Sequence, residues 1–253
     1  MIKEIQKDKL KVQVLGDRKL LGLRAAEAAY QQIRNMLNGN EPYINIIFAA
    51  APSQNEFLSA LIDKDIDWSR INAFHMDEYI GLDVDAPQGF GNFLKSGLFD
   101  KVNFRSVNYI NGNADDVDQE CERYENLLKE FPPHIVCMGI GENTHLAFND
   151  PHVADFNDKK LVKVVDLDEA CRQQQVNDGC FTTISKVPEF AITLTIPTLF
   201  SGKYLFCMVP GEKKAQAVHH TLIQEITERY PSTILRKHQN ALMFTDAQSS
   251  IFL

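Results

Sequence analysis

The stretch HIVCMGIGENTHLAFND, residues 134–150, decides the fold. Its first half, residues 134–140, is an apolar run with branched side chains and no turn signal, which predicts a buried strand. Its second half, residues 139–150, is a glycine-rich turn carrying a histidine and an Asn/Asp pair. A strand that ends in Gly-x-Gly and then presents polar side chains fits the carboxyl edge of an open α/β sheet, where ligands bind. Gly139 and Gly141 also begin a GxG, but Thr144 and His145 stand where a dinucleotide fingerprint needs its third glycine. The sequence therefore predicts no nicotinamide site, and it implies no other cofactor.

Strand and helix signals alternate on both sides of this stretch. Leu10, Val12 and Val14 alternate as a strand, and Asp17 is placed to cap a helix running to about Leu37, where Asn38-Gly39 stops it. Leu20, Leu23, Ala26, Ile33 and Leu37 keep helical spacing. YINIIFAAA (residues 43–51) is a second buried run, and SQNE (53–56) then has capping-box spacing ahead of an apolar stretch. INAFHM (71–76) is a third, closed by Asp77-Glu78. A helix is expected over residues 115–130, strands over 191–196, 204–209 and 241–246, and a helix opened by Gly211 over about 212–222. Apolar rather than alternating strands in a βαβ order predict a Rossmann-like α/β fold: a mainly parallel sheet with helices on both faces. One domain over residues 1–253 is expected. Residues 151–187 lack a strong period, and such a segment reads as a functional lid, over about 152–186.

Bulk properties narrow the function. The 253 residues are 44% hydrophobic and 24% charged, which is ordinary for a globular enzyme. A formal charge of −8 argues against nucleic acid, although a local phosphate site needs only a few donors. Five cysteines without a CxxC suit reduced thiols better than a disulfide framework or a zinc motif. No apolar run approaches a membrane span and the first residues lack a signal-peptide core, so a cytoplasmic location is expected. A homo-oligomer is compatible with the sequence.

Four strand ends deliver polar groups to one sheet edge: Ser53, Asp77-Glu78, the 142–150 loop, and Gly211-Glu212-Lys213-Lys214. Lysines at a helix start can complete a phosphate site, although most lysines are solvated surface charges. Ser53 taken alone is a helix cap. Asp77 could be a carboxylate general base or a plain turn residue. His145 sits in a glycine-flanked loop and has the side chain best suited to moving protons near neutral pH, unless it only braces the backbone. Asn143 and Asp150 are placed to orient its ring. His75, His219 and His220 lack any HxH or HExxH pattern, so no metal is expected. No GxSxG elbow supports a serine hydrolase.

These segments together resemble the glucosamine-6-phosphate deaminase/isomerase family, within the wider group that includes the 6-phosphogluconolactonases. The resemblance is carried by AFHMDEYIGL (73–82), NGNADDVDQECERYE (111–125), GIGENTHLAFNDP (139–151), VPEFAITLTIPTL (187–199) and GEKKAQAV (211–218), and extends from about Val14 to PSTIL (231–235) and TDA. It implies that Asp77 abstracts the C2 proton of an open-chain sugar, that His145 assists ring opening, and that Asp150 supports His145. Lys214 would bind the sugar phosphate, helped by Ser53 and its neighbour Gln54. Glu78, Gly141 and Arg172 join the expected substrate contacts, and Asn143 the catalytic group.

The departures from the family pattern gather at the same site. The family usually reads GNDGH where this chain has GENTH, so Asn143 replaces an aspartate and Thr144 a glycine. Asn can still accept from an imidazole N–H, but it supplies no charge. Asp150 is one methylene shorter than the usual glutamate. AAAPSQ (49–54) replaces a Gly-Gly phosphate loop, and DEACRQQQVNDGCF (168–181) offers only Arg172 where an N-x-R-F-F lid motif is usual. The expected function is an aldose–ketose isomerase/deaminase acting on an amino-sugar 6-phosphate, with glucosamine 6-phosphate first. The alternatives are another sugar-phosphate isomerase or a lactonase, and a weakly catalytic sugar-phosphate-binding regulator. Retention of Asp77 and His145 speaks against the regulator.

Overall fold

The computed structural model describes residues 1–39 and 41–253. Its strands are β1 (Lys3–Lys7), β2 (Leu10–Leu15), β3 (Ile44–Phe48), β4 (Ile71–His75), β5 (Asp77–Tyr79), β6 (Ser106–Asn108), β7 (Ile135–Met138), β8 (Val162–Asp166), β9 (Phe190–Leu194), β10 (Tyr204–Val209) and β11 (Ala241–Asp246). Its helices are α1 (Arg18–Leu37), α2 (Asn55–Ile62), α3 (Phe90–Leu94), α4 (Val117–Glu130), α5 (Glu169–Asn177), α6 (Ile196–Phe200) and α7 (Ala215–Ile223). The large sheet has the order β1-β2-β11-β10-β7-β3-β4-β6. All its pairings are parallel except β1 with β2.

The pleat explains why the central strands read as unbroken apolar runs. Ile44, Ile46 and Phe48 of β3, with Ile135 and Cys137 of β7, enter one apolar cluster with α1 and α2. Ile47, Val136 and Met138 point the other way, into a second cluster with α4, α6 and α7. Both faces are covered, so both sets of alternating positions must be apolar.

The connections place the ligand edge. From β3 the chain steps outward through β4 to β6, then returns to lay β7 on the opposite side of β3 and continues to β10 and β11. The gap between the β3 and β7 carboxyl ends is therefore a topological switch point, the usual ligand crevice of an open parallel sheet. The loops carrying Ser53 and His145 leave from those two strands.

Several local expectations need correction. Asp17 does cap α1, accepting from Leu20 N–H, but Leu20 and Leu23 are exposed and the buried stripe runs through Leu21, Ala25, Ala26, Ala29 and Ile33. The SQNE capping box does not form. Ser53 lies inside a 3₁₀ turn, Pro52–Gln54, α2 starts without a side-chain cap, and Glu56 pairs with Arg18 instead. Residues 151–187 are more ordered than their composition suggests, since they contain β8 and α5. The 191–196 run is not a strand of the main sheet. It contributes β9, the middle of a small antiparallel sheet ordered β5-β9-β8. The helix after Gly211 begins as a 3₁₀ turn, Glu212–Lys214, before α7.

Candidate active site

A cleft of about 650 Å³ opens at the carboxyl ends of β3, β4, β7 and β10. Ser53, Asp77, His145 and Lys214, one following each strand, line it.

Asp77 stands where β4 hands the chain to β5 of the small sheet, so its backbone is fixed from two sides. Asp77 pairs with Thr193 across β9, and its carbonyl oxygen lies 2.9 Å from His75 Nδ1. His75 Nε2 accepts from Ile110 N–H, so the ring proton sits on Nδ1 and is donated to the Asp77 carbonyl. Burial lowers the His75 pKa to about 4 and leaves the ring neutral. His75 is thus a brace. The Asp77 carboxyl is held well above the ordinary aspartate range, by burial first and by neighbouring Glu78 second. A carboxyl tuned upward and facing a cleft is a general base better matched to neutral pH.

His145 is presented by a tight loop whose geometry depends on Gly141. Gly141 N–H donates to the His145 carbonyl, and a Cβ on Gly141 would lie 2.2–2.3 Å from three imidazole ring atoms. Only a glycine lets the ring pack there. Behind the ring, His145 Nδ1 is 2.9 Å from Asp150 Oδ1. The contact is close but is not an aligned hydrogen bond. Burial raises the Asp150 carboxyl, but the neighbouring His145 ring, with Asn143 and Cys171, outweighs it and leaves it below the usual range. Asp150 itself is fully buried and supports His145 from behind. Thr144 has φ 73° and Ala147 φ 50°, a conformation costing an L residue about 1–2 kcal/mol. The loop therefore presents His145 between two residues, Thr144 and Ala147, whose backbone conformation glycine would adopt without strain.

The opposite wall carries positive charge. Gly211, at φ 95°, turns the chain so that the 3₁₀ turn starts at the cleft, with Gly211 N–H held by Asp246. Lys214 is 7% exposed and has no salt bridge among the described residues, and burial lowers its pKa. A buried, unpaired ammonium bordering a cleft is suited to an anionic ligand. Lys213 differs, spending its ammonium on the Asn177 carbonyl at the end of α5. Ser53 and Gln54 lie nearby, joined by a bond from Gln54 Nε2 to Ser53 Oγ at 3.0 Å, and Gly139 lets them settle against the β7 end.

The chain matches the family described as glucosamine-6-phosphate isomerases/6-phosphogluconolactonase over residues 16–244. It belongs to that family. A glucosamine-6-phosphate deaminase of Clostridium botulinum is 34% identical over 76% of this chain and 76% of its own length. One of an Exiguobacterium strain is 32% identical over 89% of this chain and 87% of its own. Among solved structures, a monomeric glucosamine-6-phosphate deaminase superposes with a TM-score of 0.86 at 27% identity, covering 96% of this chain and 99% of that one. A 6-phosphogluconolactonase of Thermotoga maritima, at 19% identity and TM-score 0.76 over 94% of this chain and all of its own, shares the fold.

Three family-derived expectations meet a different geometry. Glu78 does not line the cleft. Its carboxylate accepts from Tyr79, Phe90 and Gly91 N–H groups and caps α3. Arg172 does not line it either, because it donates to the carbonyls of Ile184 and Val187 and so pins the end of the α5 segment. Asn143 does not accept from the imidazole. Its Oδ1 accepts from the backbone N–H of His145, and its Nδ2 donates to Asp150 at 2.9 Å and Asp168 at 3.4 Å. An aspartate at 143 would face two carboxylates here, so asparagine suits the local charge.

Arg18, which sequence reasoning passed over, lines the cleft. It donates to the Pro52 carbonyl at 2.9 Å and to both oxygens of Glu56, fixing the guanidinium beside the Ser53 turn. No motif marked it; its position one residue after a helix cap was the only signal. Gln174 and Gln175 of α5 complete the rim, with Gln174 accepting from Glu142 N–H.

Proposed function

We propose that this enzyme converts an amino-sugar 6-phosphate, glucosamine 6-phosphate first, into a ketose 6-phosphate and ammonia. The observation that carries the reading is a buried aspartate with an elevated pKa sharing one cleft with an Asp-backed histidine and an unpaired buried lysine. Proton removal next to a carbonyl, proton movement at a sugar oxygen and phosphate binding call for those three groups.

In the proposed sequence, Lys214, Ser53 and Gln54 hold the phosphate, and Arg18 supplies the second cation that Arg172 does not. His145, backed by Asp150, moves the proton that opens the ring to the free aldehyde. Asp77 takes the C2 proton, giving an enolamine, and a proton delivered to C1 yields the 2-imine. Water adds to that imine and ammonia leaves, so one water is consumed for each ammonia released. His75 and Asn143 position the backbones of Asp77 and His145. Phe90 and Phe148, stacked with ring centroids 5.4 Å apart, give the cleft an apolar wall that limits water near the enolamine.

Ammonia release measured on glucosamine 6-phosphate, beside other hexose phosphates and 6-phosphogluconolactone, tests the reading. Preferred turnover of the amino sugar is expected. Preferred lactone hydrolysis would overturn it.

A further inference from the structure

The loop after β7 and helix α5 bring together three side chains that no sequence spacing connects. A ring nitrogen of His145, a carboxylate oxygen of Asp150 and Cys171 Sγ lie within 4.8 Å of one another, and the ring nitrogen that meets Asp150, 2.9 Å from its Oδ1, is Nδ1. Their residues are buried, at 8%, 0% and 1% exposure. His145 Nδ1 and Asp150 Oδ2 make no hydrogen bond among the described residues. Buried polar atoms without such a partner are rare in folded proteins and ask for an explanation.

We propose that this cluster binds a divalent transition-metal ion of the zinc class, held by His145 Nδ1, Asp150 and Cys171 Sγ. Imidazole nitrogen, carboxylate oxygen and thiolate sulfur are the donors zinc takes, and three protein ligands leave one coordination position open. Sulfur and nitrogen donors select such an ion over magnesium or calcium, which prefer oxygen. The three residues escape motif searches because 145, 150 and 171 share no ligand spacing and Cys171 arrives from a separate helix.

The charges balance in the bound form. In the metal-free protein the Cys171 thiol is protonated, since burial and then the nearby Asp150 push it well up. On binding, the S–H bond breaks, its proton leaves to solvent, and a sulfur–metal bond forms. His145 gives the Nδ1 lone pair with its ring proton on Nε2, and no electron is transferred. A dication with one thiolate and one carboxylate is neutral overall, which a buried site favours.

Metal binding stands apart from the deaminase reading, but its consequence rests on that reading. The ion takes the imidazole nitrogen that faces Asp150 and ties α5 to the β7 loop, so it switches His145 off. Such an ion would act as an inhibitor.

The test is cobalt titration of the whole protein, followed by the thiolate-to-cobalt charge-transfer absorption, with zinc added as competitor. The expected result is a band that saturates at one ion per chain and is displaced by zinc. Cys171→Ala and Cys171→Ser should lose the band and weaken metal binding by on the order of a hundredfold or more, since even outer-shell partners are worth about 10–100-fold. Cys180→Ala, altered at another thiol, should keep it. Circular-dichroism melts establish that each variant is folded. No thiolate band in the wild type, or an undiminished band in both Cys171 variants, would overturn the proposal. In the activity arm, zinc should slow ammonia release by the wild type and leave Cys171→Ala at its own metal-free rate. A thiolate band in a protein that releases no ammonia under any condition would leave the metal site standing and sink the deaminase reading.

Discussion

Asp77 carries a use and a cost in one carboxyl group. Its folded-state pKa is raised above the ordinary 3.8, so its favourable contribution exists below that value and is lost as pH rises through the raised one. At neutral pH the burial of this carboxyl therefore weakens the fold, although the same burial is what tunes it as a base. Asp77→Asn should melt higher than wild type at pH 7, with the gap closing as pH falls toward 4. A gain of about 1 kcal/mol corresponds to roughly 2–4 °C in a chain of this size. Calorimetry across that range checks it, and a variant that melts lower at pH 7 would show that Asp77 is not under electrostatic strain. Asn143 yields a second residue-scale expectation. Its amide donates to Asp150 and Asp168, so Asn143→Asp replaces those contacts with repulsion among three carboxylates. Activity and melting temperature at pH 7 should both fall; a variant as active and as stable as wild type would contradict the charge argument.

At the scale of elements, the strand ends divide the labour. The turn after Gly211 brings both lysines to the cleft, but Lys214 is buried with its ammonium unpaired among the described residues, whereas exposed Lys213 gives its ammonium to the Asn177 carbonyl at the end of α5. Lys214→Ala and Arg18→Ala should each raise KM more than they lower kcat, because a phosphate handle is used alike in ground and transition states. Lys213→Ala should leave KM within about twofold, as expected for an exposed contact. Steady-state kinetics on the three variants decides this, and a Lys213 effect larger than that of Lys214 would invert the assignment. Much of this division was legible in the sequence. The apolar runs that became β3, β4, β7, β10 and β11 need both faces buried, and the polar groups after four of them had to emerge at one edge. The small sheet was not legible, because β5 has three residues and β8 lies in a polar stretch whose partner, β9, imitates a main-sheet strand. The roles of Glu78 and Arg172 were hidden for a related reason. Both satisfy backbone groups distant in sequence, at Phe90 and Gly91 and at Ile184 and Val187, and no local pattern announces such partners.

For the molecule as a whole, the cleft combines a rigid floor with a rim built on α5. The floor belongs to the parallel sheet and its switch point. The rim, residues 152–186, contributes Gln174, Gln175 and Cys180, and we propose that it closes as a lid over bound sugar phosphate. Hydrogen exchange should show this segment gaining protection when glucosamine 6-phosphate binds, while β3 and β7 stay unchanged. Equal protection with and without ligand would remove the lid. Placement of the four cleft groups was readable from topology and motif, whereas the Arg18 contribution and the meeting of Cys171 with Asp150 appear only when distant elements are packed together.

The central claim is that Asp77 moves the C2 proton of an amino-sugar phosphate on the way to ammonia release. Turnover of glucosamine 6-phosphate in heavy water, followed by magnetic resonance of the ketose product together with ammonia, tests it most directly. The wild type should release ammonia and place solvent deuterium at C1, and Asp77→Asn should lose both by on the order of a hundredfold or more. Ammonia release by Asp77→Asn at the wild-type rate, or none from the wild type, would contradict the account.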